Sequence, residues 1–424
     1  MSIDITTDLM PELQEFMKEK GFKTFTDVQL KAYKAMGETH DLRILAPTGS
    51  GKTLSYVLPM VQYIKNIEWD SLPPGSPVAI VLAPTRELAT QITKVFKEVA
   101  HHAKIRVRQL EGGAKGPQNK RLKIQPFDVL IANPGRLLEW VQRGDIKLEQ
   151  LQFLIADEAD QLIAPSFLRE FEKIGKILEK HQAKIALYSA TEPTVLDELI
   201  AKVFPNRQFE SVIVGGANML QKGIDTFNIY VGTRQKVDVT ELFIKKEASG
   251  SGIIFLNRKE DAVTLMDKLK EIFPAKKFTL LHGDMTQGER KKNFEKYRTT
   301  GGILIATDIA ARGIDLQQLD WVLNYDLPFE AVYYVHRCGR VGRMGKDGRI
   351  YNLVSGKDGL IINRINKAIG EQTALKIKAL EVPEIKAQQK AHIAKKKSKA
   401  SAIPEKKKTR PQVKQKRTPR YKRK

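Results

Sequence analysis

The 424-residue sequence predicts an α/β protein with two tandem domains, each a mostly parallel sheet flanked by helices, and a disordered basic C-terminal tail. Three observations carry this. Ten short apolar runs, five in each half, each lead into a polar or glycine-rich segment or end the series. Continuous apolar runs of this length are the mark of parallel strands buried on both faces. The hydrophobic content of 42% supports real cores, and the length exceeds what one ordinary core accommodates. Finally, Lys386 to Lys424 holds 17 Lys or Arg against the single acid Glu405.

In chain order, residues 1–40 read as helical, with Leu9, Leu13 and Phe16 on one face. The runs Leu42–Ala46, Val78–Ala83, Val129–Ala132, Phe153–Ala156 and Ile185–Tyr188 follow as strands of the first domain, 1–214. A linker is expected at 215–222, around Gly215-Gly216-Ala217-Asn218. The second domain, 223–382, holds Gly252–Leu256, Phe278–Leu281, Gly302–Ala306, Trp321–Leu323 and Arg349–Val354. Pro383 marks entry to the tail, 383–424. In open α/β sheets ligands gather outside the carboxyl ends of the strands, so chemistry at strand ends in both halves points to a shared cleft.

Composition excludes several classes. No run of eighteen apolar residues offers a membrane span, and the start lacks the basic and apolar regions of a signal peptide, so a cytoplasmic location is expected. The single cysteine, Cys338, rules out an internal disulfide and a multi-cysteine zinc finger; it reads as a small buried core residue. Of the formal net charge of +23, the tail supplies a net +16, which leaves about +7 elsewhere. The tail is read as a nonspecific arm for a polyanion, against the alternatives of a solubilising appendage or an address signal. Its only aromatic is Tyr421, so it grips phosphates rather than stacking on bases.

The segment Ala46–Thr53, APTGSGKT, sits between a strand and a helical stretch. Gly49 and Gly51 let the backbone of Thr48, Gly49, Ser50 and Gly51 turn its N–H groups toward phosphate. Lys52 can reach the β- and γ-phosphates, and the Thr53 hydroxyl can ligate Mg²⁺. After the strand Phe153–Ala156, Asp157 can hold Mg²⁺ through water, and Glu158 can polarise a water for attack on the γ-phosphate. Alone, two acids after a strand could be a solvated helix start; the phosphate loop favours catalysis. The residues themselves thus support a two-domain Mg²⁺-dependent ATPase with a polyanion partner.

Asp157-Glu158-Ala159-Asp160 spells DEAD, and the chain resembles the DEAD-box ATP-dependent RNA helicases of superfamily 2 over about residues 20–360. The resemblance implies two RecA-like domains that close on ATP and RNA together. It implies that Phe22 stacks on adenine and Gln29 reads its edge, although Phe25 stands where proline is common. It places Pro84, Thr85, Arg86, Gly113, Gly135 and Arg136 at RNA in the first domain, with Asn133 in place of threonine. Asn257, Gln287, Arg290 and Thr307 would contact RNA from the second, with Asn257, Gln287 and Arg290 also candidates for interdomain contacts. Gly313 and Asp315 would reach ATP, with Asp315 on the ribose hydroxyls. Ser189, Thr191, Asp160 and His336 would couple the domains. Arg340 and Arg343 would be arginine fingers completing a catalytic set with Lys52, Asp157 and Glu158. The cofactors implied are ATP and Mg²⁺.

The function expected from this resemblance is RNA-dependent ATP hydrolysis coupled to local duplex unwinding or RNA–protein remodelling. An ATP-gated clamp or annealing protein is the alternative, and a DNA-translocating helicase a third. No recognition module follows the core, so RNA binding without strong sequence specificity is expected, by a monomer. The small size and lysine tail point to a bacterial housekeeping role in ribosome assembly or RNA turnover, with possible ribosomal or ribonucleoprotein partners.

Overall fold

The computed structural model describes residues 8–38, 40–47, 49–67, 72–110, 125–164, 167–190, 196–215, 224–311, 319–329, 331–342, 347–356, 358–369 and 378–379. All belong to one compact unit, Met1–Leu380. The expected tail and most of the expected linker lie outside the described residues.

Two seven-stranded sheets form the frame. The first holds β1 (Asp41–Leu45), β2 (Ala79–Leu82), β3 (Val107–Gln109), β4 (Val129–Ala132), β5 (Phe153–Ala156), β6 (Lys184–Ser189) and β7 (Phe209–Ile213), in the order β3-β4-β2-β5-β6-β1-β7. The second holds β8 (Ile224–Tyr230), β9 (Gly252–Leu256), β10 (Phe278–Leu281), β11 (Ile303–Thr307), β12 (Trp321–Asn324), β13 (Gly348–Val354) and β14 (Lys378–Ala379), in the order β10-β11-β9-β12-β13-β8-β14. Every pairing is parallel. All ten apolar runs form strands.

The sequence pattern missed β3, β7, β8 and β14. Three of these are sheet edges, and β8 lies one strand in. An edge strand meets the core with less of its surface, so its residues need not be continuously apolar. Within β7, Glu210 and Ser211 are exposed, and in β8 only Thr226, Asn228 and Ile229 are buried.

Register sets up the chemistry. Leu82 lies opposite both Ala132 and Ala156, so the segments after β2, β4 and β5 emerge along one edge. In the second sheet Leu256 pairs with Thr307, and Phe255 with Asn324. Apolar side chains fill both faces of the first sheet: Val81, Ile155, Tyr56 and Phe96 on one, Leu130, Leu154, Trp140 and Phe171 on the other. Cys338 is fully buried in the core of the second sheet, among Phe255, Val322, Tyr334 and Ile350. Burial in apolar surroundings pushes its thiol far above the ordinary range, which keeps it inert.

The N-terminal stretch is two helices, Pro11–Glu19 and Asp27–Gly37. Gly21 adopts φ +70°, and the amides of Gly21 and Phe22 bond back to the carbonyls of Lys18 and Met17. This αL ending stops the first helix and throws Phe22 outward. Lys184, at the start of β6, donates to the carbonyls of Ala35, Met36 and Glu38, capping the second helix.

Candidate functional site

The loop after β1 turns on two glycines in the left-handed region, Gly49 at φ +77° and Gly51 at φ +94°. Gly51 caps the helix Lys52–Asn66, whose N-terminus offers unpaired amides and a positive dipole end to an anion. A Cβ on Gly51 would stand 2.6 Å from Gln29 Nε2 and 3.3 Å from Thr26 Oγ1, so close approach as well as φ demands glycine. Lys52 Nζ donates to the loop's own carbonyls, Ala46 at 2.8 Å and Pro47 at 3.1 Å. Burial lowers the Lys52 pKa, against the raising charges of Asp157, Asp160 and Glu158. Lys52 is partly exposed, and the three acids supply opposing charge near its ammonium.

Strand β5 delivers Asp157 beside that lysine. Asp157 is 3% exposed, and its two carboxylate oxygens are separately held. Oδ1 accepts from the Glu158 amide at 2.9 Å, and Oδ2 accepts from the Tyr56 hydroxyl at 2.8 Å. Burial first, and then the Glu158 charge, push its pKa up to about 6, opposed by Lys52 and the two hydrogen bonds. Glu158 adopts φ +50°, a strained conformation for a non-glycine residue, and accepts from Gln161 Nε2 at 2.6 Å. A buried carboxylate crowded by a second acid, facing the Thr53 hydroxyl's helix, is a hard-oxygen set that fits Mg²⁺.

The second sheet's chain completes the same cavity. A space of about 440 Å³ is lined by Phe22, Lys52, Thr53, Asp157 and Glu158 from the first and by His336, Gly339 and Arg340 from the second. Arg340 is 8% exposed there. His336 Nε2 lies 3.4 Å from Asp160 Oδ2 and 3.4 Å from Gln161 Nε2. Arg290 reaches Glu87 at 3.1 Å and donates to the Ala310 carbonyl at 3.1 Å. Among the described residues, Arg290 and His336 of the second half thus reach Glu87, Asp160 and Gln161 of the first.

Phe22 is 42% exposed and borders the cavity. Gln29 is buried and does not line it; its Oε1 accepts from Thr26 N at 2.9 Å and its Nε2 donates to the Gly51 carbonyl at 3.4 Å. The glutamine is drawn inward because it closes a capping box at the helix start. Ser189 ends β6, and its carbonyl accepts from Ala46 N at 3.0 Å, tying that strand to the loop.

Other proposed site residues follow strand ends within each sheet. Pro84 follows β2; Thr85 caps the helix Arg86–Ala103 by accepting from Leu88 N at 3.2 Å. Asn133 donates to the Ala83 carbonyl at 2.7 Å, fastening two strand ends together. Arg136 pairs with Glu139 at 2.6 Å, and a Cβ on Gly135 would meet nothing within 4 Å. Asn257 donates to the Leu327 carbonyl and accepts from Arg337, both at 2.8 Å, so its amide serves the second sheet itself. Thr307 is buried at the end of β11.

Sequence reasoning passed over Tyr56, Glu87, Gln161 and Arg337. Arg337 is 2% exposed and donates to both Asp308 oxygens, at 2.6 and 2.7 Å, and to Asn324 at 3.0 Å. A signal existed: Arg337 directly follows His336 near the end of the helix Ala331–Cys338 and stands three residues before Arg340. Thr48, Gly113, Thr191, Gly313, Asp315 and Arg343 lie outside the described residues, as does the Gln287 side chain.

Residues 26–199 match the DEAD/DEAH box helicase family, and residues 235–345 the helicase conserved C-terminal domain. The chain is 30% identical over 384 residues to the ATP-dependent RNA helicase SrmB of Haemophilus influenzae, covering 89% of this chain and 85% of that protein. It is 32% identical over 371 residues to the ATP-dependent rRNA helicase RRP3 of Vanderwaltozyma polyspora, covering 86% and 71%. Among solved structures, S. cerevisiae Dbp5 bound to RNA and ADP BeF3 superposes with a TM-score of 0.76 at 26% identity, over 88% of this chain and 94% of that one. Among the described residues no helix is long and apolar enough to cross a membrane.

Proposed function

The chain belongs to the DEAD-box ATP-dependent RNA helicases, and from that premise we propose how its residues divide the work. It is an RNA-dependent ATPase that couples ATP binding and hydrolysis to RNA remodelling. Lys52 and the amides of the loop Thr48–Gly51 bind the phosphates, with Phe22 against the base and Gln29 holding the loop and reading the adenine edge. Thr53 and, through water, Asp157 would hold Mg²⁺, which would supply charge to offset that of the phosphate oxygens. Glu158 orients the attacking water and takes its proton. Arg340 and Arg343 stabilise the charge that develops on the transferred phosphoryl group. Gly313 and Asp315 contact the nucleotide from the second domain.

RNA lies along the strand-end edge, on Pro84, Thr85, Arg86, Gly113, Gly135 and Arg136 and, in the second domain, on Asn257, Gln287, Arg290 and Thr307. Coupling runs through Ser189, Thr191, Asp160 and His336. The division is taken as 1–214, a linker 215–222, 223–382 and a basic arm, 383–424; the strands of the first sheet falling before 215 and those of the second after 223 support the two sheet-bearing parts. The reading extends to a cytoplasmic monomer acting on ribosomal or other structured RNA without strong sequence preference, by local duplex unwinding. The rRNA helicase named among its relatives supports that substrate class.

The observation that carries the mechanism is Arg340 lining one cavity with Lys52 and Glu158, from the other half of the chain. Turnover then requires the two halves together. Arg340→Ala should lower RNA-stimulated turnover by about 10³–10⁵. Glu158→Gln should hold ATP and RNA while hydrolysis stalls. A fragment of residues 1–214 that hydrolyses ATP as fast as the full chain would overturn the composite site.

A further inference from the structure

The helix Arg86–Ala103 begins at the proposed RNA edge and carries away from it a stripe of exposed residues: Thr90, Lys94, Lys97 and His101. Spacings of four, three and four put all four on one face. The stripe forms one wall of a cleft of about 650 Å³, whose other lining includes Lys20 and Gln109. Gln109 ends β3, three residues before Gly112-Gly113 in the sequence, and donates to Thr90 Oγ1 at 3.1 Å.

An amphipathic helix always has a polar face, so charge alone decides nothing. What distinguishes this cleft is its pairing. Of its acids, Glu98 pairs with Lys20 at 2.9 Å, and Glu19 lies 3.4 Å from His102. Among the described residues, Lys94 and Lys97 have no carboxylate within ion-pair distance. The lysines lining the cleft, Lys20, Lys94 and Lys97, outnumber its acids, Glu19 and Glu98, so its net charge is positive.

From Thr90 to His101 the stripe is about 16 Å long at 1.5 Å per residue, room for about five stacked nucleotides at 3.4 Å each. We propose that this cleft is an extension of the RNA path, in which Lys94 and Lys97 hold the phosphodiester backbone of a single strand leaving the edge at Thr85 and Arg86. Hydroxyl and amide groups of Thr90 and Gln109 line its entrance. The contacts are to phosphate, so they add grip and processable length without sequence preference. This rests on the RNA reading above.

The test is equilibrium binding of the full chain to single-stranded RNAs of about 10 and 25 nucleotides at several salt concentrations. Each phosphate contact on a single strand contributes about 0.7 to the salt slope. Lys94→Gln/Lys97→Gln should therefore lower the slope for the longer RNA by about 1.4, and Lys94→Glu/Lys97→Glu by at least as much. Lys268→Gln/Lys270→Gln removes the same charge from an exposed helix of the second domain and should leave the slope unchanged. A slope unaltered by the cleft variants, or lowered equally by the control pair, would overturn the proposal. Wild-type protein that binds neither RNA would instead overturn the RNA reading itself.

Discussion

The Tyr56 hydroxyl donates to Asp157 Oδ2 at 2.8 Å, in a contact sealed from water at the centre of the first domain. Tyr56 stands one helical turn beyond Thr53, and the remaining oxygen of Asp157 is held by the Glu158 amide. Burial raises the Tyr56 pKa well above the ordinary phenol, so the hydroxyl stays a donor. The two hydrogen bonds leave the carboxylate one orientation, facing the phosphate loop.

Tyr56→Phe keeps the ring and removes only that donor. A hydrogen bond to a charged group contributes about 1.5–3 kcal/mol, so the denaturant midpoint of the nucleotide-free protein should fall accordingly. Groups that orient a metal-holding carboxylate matter about tenfold or more for affinity. Fluorescent-nucleotide titrations across Mg²⁺ concentrations should show the variant needing more Mg²⁺ for half-saturation, while affinity in EDTA changes little. Unaltered Mg²⁺ dependence would show that Tyr56 is only a packing residue.

The Asp157 carboxyl, pushed up to about 6 by burial and then by Glu158, predicts a pH response with a definite sign. A raised carboxyl holds its proton longer in the folded state than in the unfolded one. Its contribution to stability is present below about pH 4 and is lost as pH rises through about 6. Binding of Mg²⁺-nucleotide wants the ionised form, so affinity should fall as pH drops below about 6. Glu158→Gln removes the second cause of the shift and should move that midpoint to lower pH. The check is nucleotide affinity against pH for both proteins; coincident curves would remove Glu158 as a cause.

Gly51→Ala should disable the loop. At φ +94° an L-residue is strained by about 1–3 kcal/mol, and the new methyl would meet Gln29 Nε2 at 2.6 Å. Gln29 could swing away, but only by releasing Thr26 N and the capping box. The variant should unfold at lower denaturant and bind nucleotide poorly. Gly37→Ala, with nothing within 4 Å of its Cβ, should match the wild type within a few tenths of a kcal/mol.

Truncation after Val382 should raise the RNA concentration needed for full turnover and leave the turnover at saturation in place. If about five tail cations engage phosphates, affinity of the full chain falls about a hundredfold more between 50 and 200 mM salt than that of the truncated one. Parallel salt titrations of both proteins measure this directly. Equal slopes would show the tail to be an appendage or an address.

Much of the site was legible because phosphate chemistry leaves strict local marks. Gly49 and Gly51 must adopt positive φ, Lys52 and Thr53 must follow, and an apolar run must end at Asp157. Those requirements are contiguous in the chain, as are the ten apolar runs that became strands. The structure added what no local pattern carries. Gln29 is spelled in sequence as an adenine reader, and its amide turns out to hold the loop at Gly51 and the helix start at Thr26. Asn257, proposed at RNA, also ties Arg337 and Leu327 together through its amide.

The sequence by itself determined the fold class, the phosphate loop and the acid pair, because backbone torsion and strand burial act on neighbours in the chain. Only the tertiary structure decided that Tyr56 meets Asp157, that Glu87 meets Arg290 and that Arg340 enters the cavity of Lys52. Those partners are separated by about a hundred residues or more. Which of many tyrosines, acids and arginines meet is set by strand order and register, and by two sheets brought face to face at their carboxyl ends.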